Sequence, residues 1–198
     1  MKYFALNLIR KRVIINMIQS FAYFWDDMES GVRTMGKDAR KQAEQKTNVM
    51  RLLEQAKIPY RHHSYADTGA VSGIEVAAVL GQDESKVFKT LVTVGKSGDH
   101  YVFVVPVNKE LNLRKAAKAV NEKSNEMIKS KELLPLTGYI HGGCSPIGMK
   151  KRFATVVDES AAGQDTILVN AGKIGYQIEI KPDDLKKIIP FFYADISE

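Results

Sequence analysis

Cysteine is almost missing from this chain of 198 residues, and Cys144 is its single representative. One cysteine cannot form an internal disulfide, so the composition indicates a reducing, cytosolic compartment. No stretch of about 18 consecutive apolar residues occurs, which argues against an ordinary membrane-spanning helix. The four histidines lack metal-ligand spacing, and neither a Walker loop nor a dinucleotide-binding glycine pattern is present. We therefore expect neither a metal nor a cofactor.

The overall composition is that of a soluble globular protein. Hydrophobic residues make up 44% of the chain and charged residues 26%. The length suits one domain with a short extension. The net charge of +6 favours polyanionic partners, but it does not by itself identify a nucleic-acid-binding protein.

Residues 1–45 differ from the rest and are predicted to form an N-terminal extension. A basic start leads into an apolar run, Val13 to Trp25, which imitates a signal peptide but lacks a small-residue cleavage site. Three readings compete: a membrane-surface helix, an interaction helix for a partner, and translated upstream sequence with Met28 or Met35 as the real start. We favour the third, because Met35 leads smoothly into the polar segment that opens the domain at residues 46–198.

The hydrophobic pattern of residues 46–198 predicts a mixture of helices and strands. Thr47 is a candidate helix cap, Gly81 a candidate helix end, and the turn at 95–98 is predicted to join a hairpin. Helices are predicted at 47–57, 73–80, 111–120, 129–134 and 183–189, and strands at 60–65, 87–94, 101–107, 153–158, 166–170 and 176–180. The irregular mixture indicates an α+β fold with a mixed, curved or barrel-like sheet surrounded by helices.

Lys89 is the first residue with potential chemistry. Strand alternation places it on the same face as Val87 and Leu91, where a charged amine needs a partner. The alternative is an edge strand, in which lysine commonly guards against aggregation.

A glycine-rich loop at residues 141–148 is the second candidate. Gly142 and Gly143 allow close approach of the backbone to a ligand, and their N–H groups are suited to stabilising an oxyanion. A plain tight turn explains the same pattern. Cys144 within the loop invites a nucleophile hypothesis with His141 as base, although a small buried side chain explains it better.

Polar and basic residues elsewhere are weaker candidates. Asp158 ends a predicted strand, where a carboxylate can face a site or simply start a turn. Two basic groups, each usually a solvated face, would form a phosphate track if both flanked one cleft. Their members are Arg114, Lys115 and Lys118, and Lys150, Lys151 and Arg152.

Taken together, these segments resemble the YbaK family of Cys-tRNA(Pro) deacylases, which is related to the editing domain of bacterial prolyl-tRNA synthetases. The resemblance spans residues 46–196. Its most specific parts are VFKTL at 87–91, TGY at 137–139, GGCSPIG at 142–148 and AGK at 171–173. It implies a barrel-like mixed sheet wrapped by helices.

The resemblance also implies a function and a site. The family's functional lysine falls on Lys89, and its pocket residues fall on Tyr65, Asp158 and Ser145. The loop backbone falls on Gly142 and Gly143. The implied activity is hydrolysis of mischarged Cys-tRNA(Pro) in trans, with prolyl-tRNA synthetase as partner. The substrate thiol itself would attack the ester. Two alternatives stay open: a deacylase for alanyl or other small aminoacyl-tRNAs, and a noncatalytic module that binds tRNA or a synthetase.

Overall fold

The computed structural model describes residues 46–198, and the N-terminal extension predicted from the sequence lies outside them. Five α-helices, two short 3-10 helices and eight strands make up the described residues. The helices are α1 (Asn48–Gln55), α2 (Gly73–Leu80), α3 (Leu113–Ala119), α4 (Ser130–Thr137) and α5 (Pro182–Ile188). The strands are β1 (Arg61–Ser64), β2 (Phe88–Gly95), β3 (His100–Pro106), β4 (Asn125–Met127), β5 (Ala154–Asp158), β6 (Ile167–Asn170), β7 (Tyr176–Ile180) and β8 (Phe191–Ala194).

Hydrogen bonding divides the strands into two sheets. The smaller has the order β1-β7-β6 and is antiparallel, and the larger has the order β4-β2-β3-β5-β8. Strands β2 and β3 form the predicted hairpin, whereas β3 with β5 and β5 with β8 pair in parallel. An isolated bridge between Val87 and Leu168 links the two sheets. The α+β class predicted from the sequence is confirmed, with a mixed sheet at its centre.

The two faces of β2 bury different side chains. Phe88 and Val92 belong to the larger hydrophobic cluster, which also contains residues from α1 and from the smaller sheet. Leu91 packs on the other face, against a smaller cluster that contains Phe103 and Ala116. Lys89 shares this second face because side chains in a strand alternate.

Local signals in the sequence fix several helix ends. The Thr47 hydroxyl accepts a hydrogen bond from the Met50 N–H at 3.3 Å, which caps α1 as predicted. Gly81 ends α2 in the left-handed region with φ of 63°. Helix α4 extends beyond its predicted end through Pro135, since the Thr137 hydroxyl donates to the Leu133 carbonyl and stabilises the last turn.

Residues 195–198 are attached to the segment that precedes α3. Glu110 and Glu198 exchange two backbone hydrogen bonds of 3.1 Å, and Leu111 forms a bridge with Ser197. The Lys115 amine donates to the Ser197 carbonyl at 2.8 Å. These bonds hold residues 195–198 against the 110–112 segment and the start of α3. Within residues 46–198, no helix is long and apolar enough to cross a membrane.

Candidate functional site

A cavity of about 230 Å³ lies beside the open edge of β2, between the two sheets. Strand β4 pairs only with residues 93–95 of β2, so Phe88 to Leu91 have a strand partner on one side only among the described residues. The loop after β1, strand β2, the glycine-rich loop, β6 and β7 all contribute to its lining. Their residues there include Tyr65, Lys89, Thr90, His141, Gly142, Cys144, Asn170 and Gln177.

Lys89 contributes the positive charge of this cavity. Its Nζ donates to Glu110 Oε1 at 2.9 Å, and the exposed fractions of the two side chains are 26% and 80%. An ion pair whose acid is mostly in water contributes little, at about 0–1 kcal/mol. A ligand can therefore replace Glu110 at the amine with little loss. Lys89 therefore lies in the half of β2 that has a strand partner on one side only, and it also lines the cavity.

The glycine-rich loop forms the opposite wall. Gly142 has φ of +79°, a conformation that other residues rarely adopt. Asn170 holds it in place, since its Nδ2 donates to the Gly142 carbonyl at 2.8 Å while its Oδ1 accepts from the Gly172 N–H, also at 2.8 Å. Within residues 46–198 the Gly142 N–H has no acceptor, whereas the Gly143 N–H donates to the Ile140 carbonyl at 3.0 Å. The loop therefore offers Gly142, and not Gly143, as a donor.

Two buried polar atoms in the cavity lining have no hydrogen-bond partner among the described residues. They are Gln177 Oε1, on a residue that is only 6% exposed, and Thr90 Oγ1. Leaving such a group unpaired costs about 1–3 kcal/mol. Unpaired polar atoms beside a cation are the arrangement expected of a site whose polar ligand completes the bonding.

Cys144 also borders the cavity, but its environment is wrong for a nucleophile. Burial raises the pKa of its thiol to about 12. No hydrogen bond joins Cys144 to His141 within residues 46–198, although both line the cavity. Because the thiolate is the reactive form, a thiol with this pKa is inert at neutral pH. Residues 46–198 also contain no cluster of three or more side chains placed to bind a metal ion.

Of the pocket residues implied by the resemblance, the structure brings Tyr65 to the cavity with Lys89 and Gly142. Gly143, Ser145 and Asp158 are not part of the lining. Ser145 is fully buried, and its hydroxyl accepts from the Ile147 N–H at 3.3 Å.

Asp158 is the last residue of β5, and its side chain caps the following 3-10 helix. Its Oδ1 accepts from the Ser160 hydroxyl at 2.6 Å and the Ser160 N–H at 3.1 Å. Burial works to raise the pKa of Asp158, but these hydrogen bonds outweigh it and hold the pKa below its ordinary value. The carboxylate therefore starts a turn, which was one of the two readings of its position, and its part in a substrate pocket stays a prediction.

The two basic groups do not flank the cavity together. Arg114 and Lys118 line a groove beside α3, while the Lys115 amine is occupied by Asp195 at 2.7 Å. Lys151 and Arg152 line two other grooves, one of which also contains Lys186 and Lys187. The Lys150 side chain lies over Gly138. The two basic groups therefore lie in different grooves and do not form a single track along one cleft.

Sequence reasoning missed Gln177, Asn170 and Thr90. Gln177 occupies a polar position in an alternating strand, and that pattern ordinarily indicates a side chain in water. Its register partners are His63 in β1 and Asn170 in β6, and these long-range pairings place it under cover. No local signal in the sequence distinguishes such a buried polar residue from an exposed one.

Comparisons with known proteins agree with this architecture. A family model for the aminoacyl-tRNA editing domain matches residues 69–188. Over 160 residues the chain is 46% identical to EbsC of Enterococcus faecalis, named as a candidate Cys-tRNA(Pro)/Cys-tRNA(Cys) deacylase, with coverage of 80% of this chain and 98% of that one. A stretch of 99 residues is 27% identical to the proline–tRNA ligase of Pelobacter propionicus, covering 50% of this chain and 17% of that enzyme. The crystal structure of a candidate trans-editing enzyme for prolyl-tRNA synthetase shares the fold, with a TM-score of 0.68, 24% identity and coverage of 77% and 98%.

Proposed function

The chain belongs to the aminoacyl-tRNA editing domain family, and we propose on that basis that it hydrolyses mischarged Cys-tRNA(Pro) in trans and so preserves the fidelity of translation. The similarity to EbsC supports cysteine as the amino acid, because that relative is matched over 98% of its length. We further propose that the reaction takes place in the cytoplasm, with prolyl-tRNA synthetase as the partner that supplies tRNA selectivity.

The observation that supports this function best is the cavity that contains Lys89, Gly142 and the unpaired Gln177 oxygen. Its volume of about 230 Å³ is below the roughly 300–1,000 Å³ typical of pockets for drug-sized ligands. It suits a small aminoacyl group, with the rest of the RNA outside. The Lys89 amine would bind the phosphate or ribose of the terminal adenosine. Tyr65 would shape the wall of the pocket.

We propose that the substrate supplies the nucleophile. The thiol of the bound cysteine loses its proton, its sulfur attacks the ester carbonyl, and the bond from that carbonyl to the ribose oxygen breaks. The ribose hydroxyl leaves with a proton, and water then opens the cyclic thioester. The Cys144 thiol of the cavity is not suited to the attack, because burial raises its pKa to about 12. The protein acts by orientation and by stabilising charge.

The developing negative charge on the carbonyl oxygen needs donors within the same cavity. The Gly142 N–H is available among the described residues, whereas the Gly143 N–H is already bonded to Ile140. Lys89 adds a positive charge from the facing strand. The Gln177 carbonyl oxygen is an acceptor suited to the substrate ammonium group, which is the donor that a Cys ester presents near its carbonyl.

A deacylation panel tests this proposal. Cys-, Ala-, Ser- and Pro-tRNA are each incubated with the protein, with and without prolyl-tRNA synthetase. We expect rapid release of cysteine and little release of alanine or serine, because those substrates lack the thiol. Equal rates for Cys- and Ala-tRNA would favour the broader small-aminoacyl deacylase. A cysteine rate no faster than the background would favour a noncatalytic binding module and refute the enzyme.

A further inference from the structure

A second groove, of about 520 Å³, lies between α3 and β4 and has no part in the cavity described above. It contains three cationic side chains, Arg114, Lys118 and Lys123, and one carboxylate, Glu122. The cations are exposed and have no ion-pair partner within residues 46–198. The Glu122 carboxylate accepts from the Tyr101 hydroxyl at 2.8 Å and keeps its negative charge, so the three cations outnumber the single anion. The groove is therefore an anion-attracting surface.

Asn125 is an unusual residue in the lining of this groove, because its side-chain amide is buried and unpaired within residues 46–198. The residue is 4% exposed, lines the groove, and has no hydrogen-bond partner for either its Nδ2 or its Oδ1. An amide in this state retains two donors and an acceptor for a ligand. That combination binds the edge of a nucleobase or the hydroxyls of a ribose, whereas cations alone bind any polyanion. Charge and a buried amide together indicate a nucleotide of an RNA strand.

The position of Asn125 relative to the cavity sets the size of the ligand. Asn125 pairs in register with Gly95, which lies six residues from Lys89 along β2. At about 3.3 Å per residue the separation is about 20 Å. A stacked strand rises about 3.4 Å per nucleotide, so about six stacked nucleotides cover that distance. An adenosine bound in the cavity cannot reach the groove, but the acceptor arm of a tRNA can.

We propose that this groove binds the RNA of the acylated substrate at its acceptor arm, with phosphates on Arg114, Lys118 and Lys123 and one nucleotide hydrogen-bonded to Asn125. The proposal rests on the proposed function, because it takes the acylated end of a tRNA to lie at Lys89. It gives the isolated domain a contact with tRNA beyond the esterified nucleotide. Binding at the groove contributes to affinity and not to the chemical step.

Kinetics with a long and a short substrate test the proposal. The variants are Asn125→Ala and the double variant Lys118→Ala/Lys123→Ala, and the substrates are Cys-tRNA(Pro) and cysteinyl adenosine. For the tRNA we expect KM to rise about tenfold in the double variant with kcat retained, since each lost phosphate contact weakens binding by up to about fivefold. The salt dependence of tRNA binding should also become shallower. For cysteinyl adenosine, neither constant should change.

The matched control is Lys181→Ala, which removes the same charge from an exposed position outside the groove. It should leave KM for both substrates unchanged. Asn125→Ala should keep the melting temperature of the wild type, because the amide has no hydrogen bond to lose. A structural role for Asn125 would instead lower that temperature and slow both substrates equally, which overturns the proposal.

Three further outcomes separate this inference from the function on which it rests. Unchanged KM for tRNA in both variants overturns the groove and leaves the deacylase intact. If the wild type cleaves neither substrate, the deacylase fails, and fluorescence anisotropy with uncharged tRNA then decides whether the variants weaken RNA binding. Loss of stimulation by prolyl-tRNA synthetase, with RNA binding unchanged, overturns the proposal in favour of a protein-binding surface.

Discussion

Replacing Lys89 by alanine should slow the reaction far more than it destabilises the fold. The Lys89 amine is bonded to Glu110 at 2.9 Å, and the Glu110 side chain is 80% exposed. A pair in that environment contributes about 0–1 kcal/mol to the free energy of unfolding. A hydrogen bond from the amine to a substrate in its transition state contributes about 1.5–3 kcal/mol. The corresponding loss in kcat/KM is about 10-fold to 150-fold.

Single-turnover deacylation of Cys-tRNA(Pro) measures the loss of activity, and thermal unfolding measures the loss of stability. For a chain of this size, 1 kcal/mol corresponds to a change in Tm of about 2–4 °C, so the Tm of Lys89→Ala should fall by no more than that. Glu110→Ala is the matched variant, because it breaks the same ion pair and retains the amine. Its Tm should change equally, while its rate should equal or exceed that of the wild type.

Either of two results would refute this reasoning. A Lys89→Ala protein that cleaves Cys-tRNA(Pro) at the wild-type rate would show that the amine does not contact the substrate. A Glu110→Ala protein as slow as Lys89→Ala would show that the ion pair, and not the amine, supports activity by holding the 110–112 segment in place.

Three other predictions concern polar groups that are buried or half-buried. Cys144→Ala should retain deacylation, and iodoacetamide should label the native thiol far more slowly than the unfolded one, because burial raises its pKa to about 12. Gln177→Leu should keep or raise the Tm and lower kcat/KM about tenfold, since the unpaired Oε1 is satisfied only by a ligand; an unchanged rate would contradict this. A hydrogen bond from the Thr166 hydroxyl is the main cause that holds the pKa of Glu179 below its ordinary value. Burial acts to raise this pKa, and His63 acts to lower it further. This stabilisation is present above the unfolded-state pKa and is lost as pH falls through the folded-state pKa, so the Tm deficit of Thr166→Val should shrink between pH 7 and about pH 3; an equal deficit at both would refute it.

The parts of the fold that depend on neighbouring residues were predictable from the sequence. The cap at Thr47, the helix end at Gly81 and the β2–β3 hairpin all arise from local backbone chemistry. Strands β4 and β8, of three and four residues, were missed, and the order of all the strands in the sheets comes from partners far away in the chain. Short strands stabilised by distant partners give no periodic signal.

The site was predictable only in part, for the same reason. Lys89 and Gly142 lie in segments with distinctive residues, and the family resemblance assigned both of them to one site. Residue types left two readings of Asp158 open, because a carboxylate at the end of a strand looks the same whether it faces a pocket or caps a turn, and only the resemblance assigned it to a pocket. The burial of Gln177 was not predictable from the sequence, because it depends on the register of β7 with its neighbouring strands.

The attachment of residues 195–198 to the segment before α3 has a practical consequence for anyone who handles this protein. Glu198 is bonded through its backbone to Glu110, the residue that accepts from the Lys89 amine. An affinity tag fused directly after Glu198, or a trimmed expression clone that omits these four residues, would disturb the segment that carries Glu110. Such material should unfold at a lower temperature than the 198-residue chain, because it lacks the backbone bonds between Glu110 and Glu198.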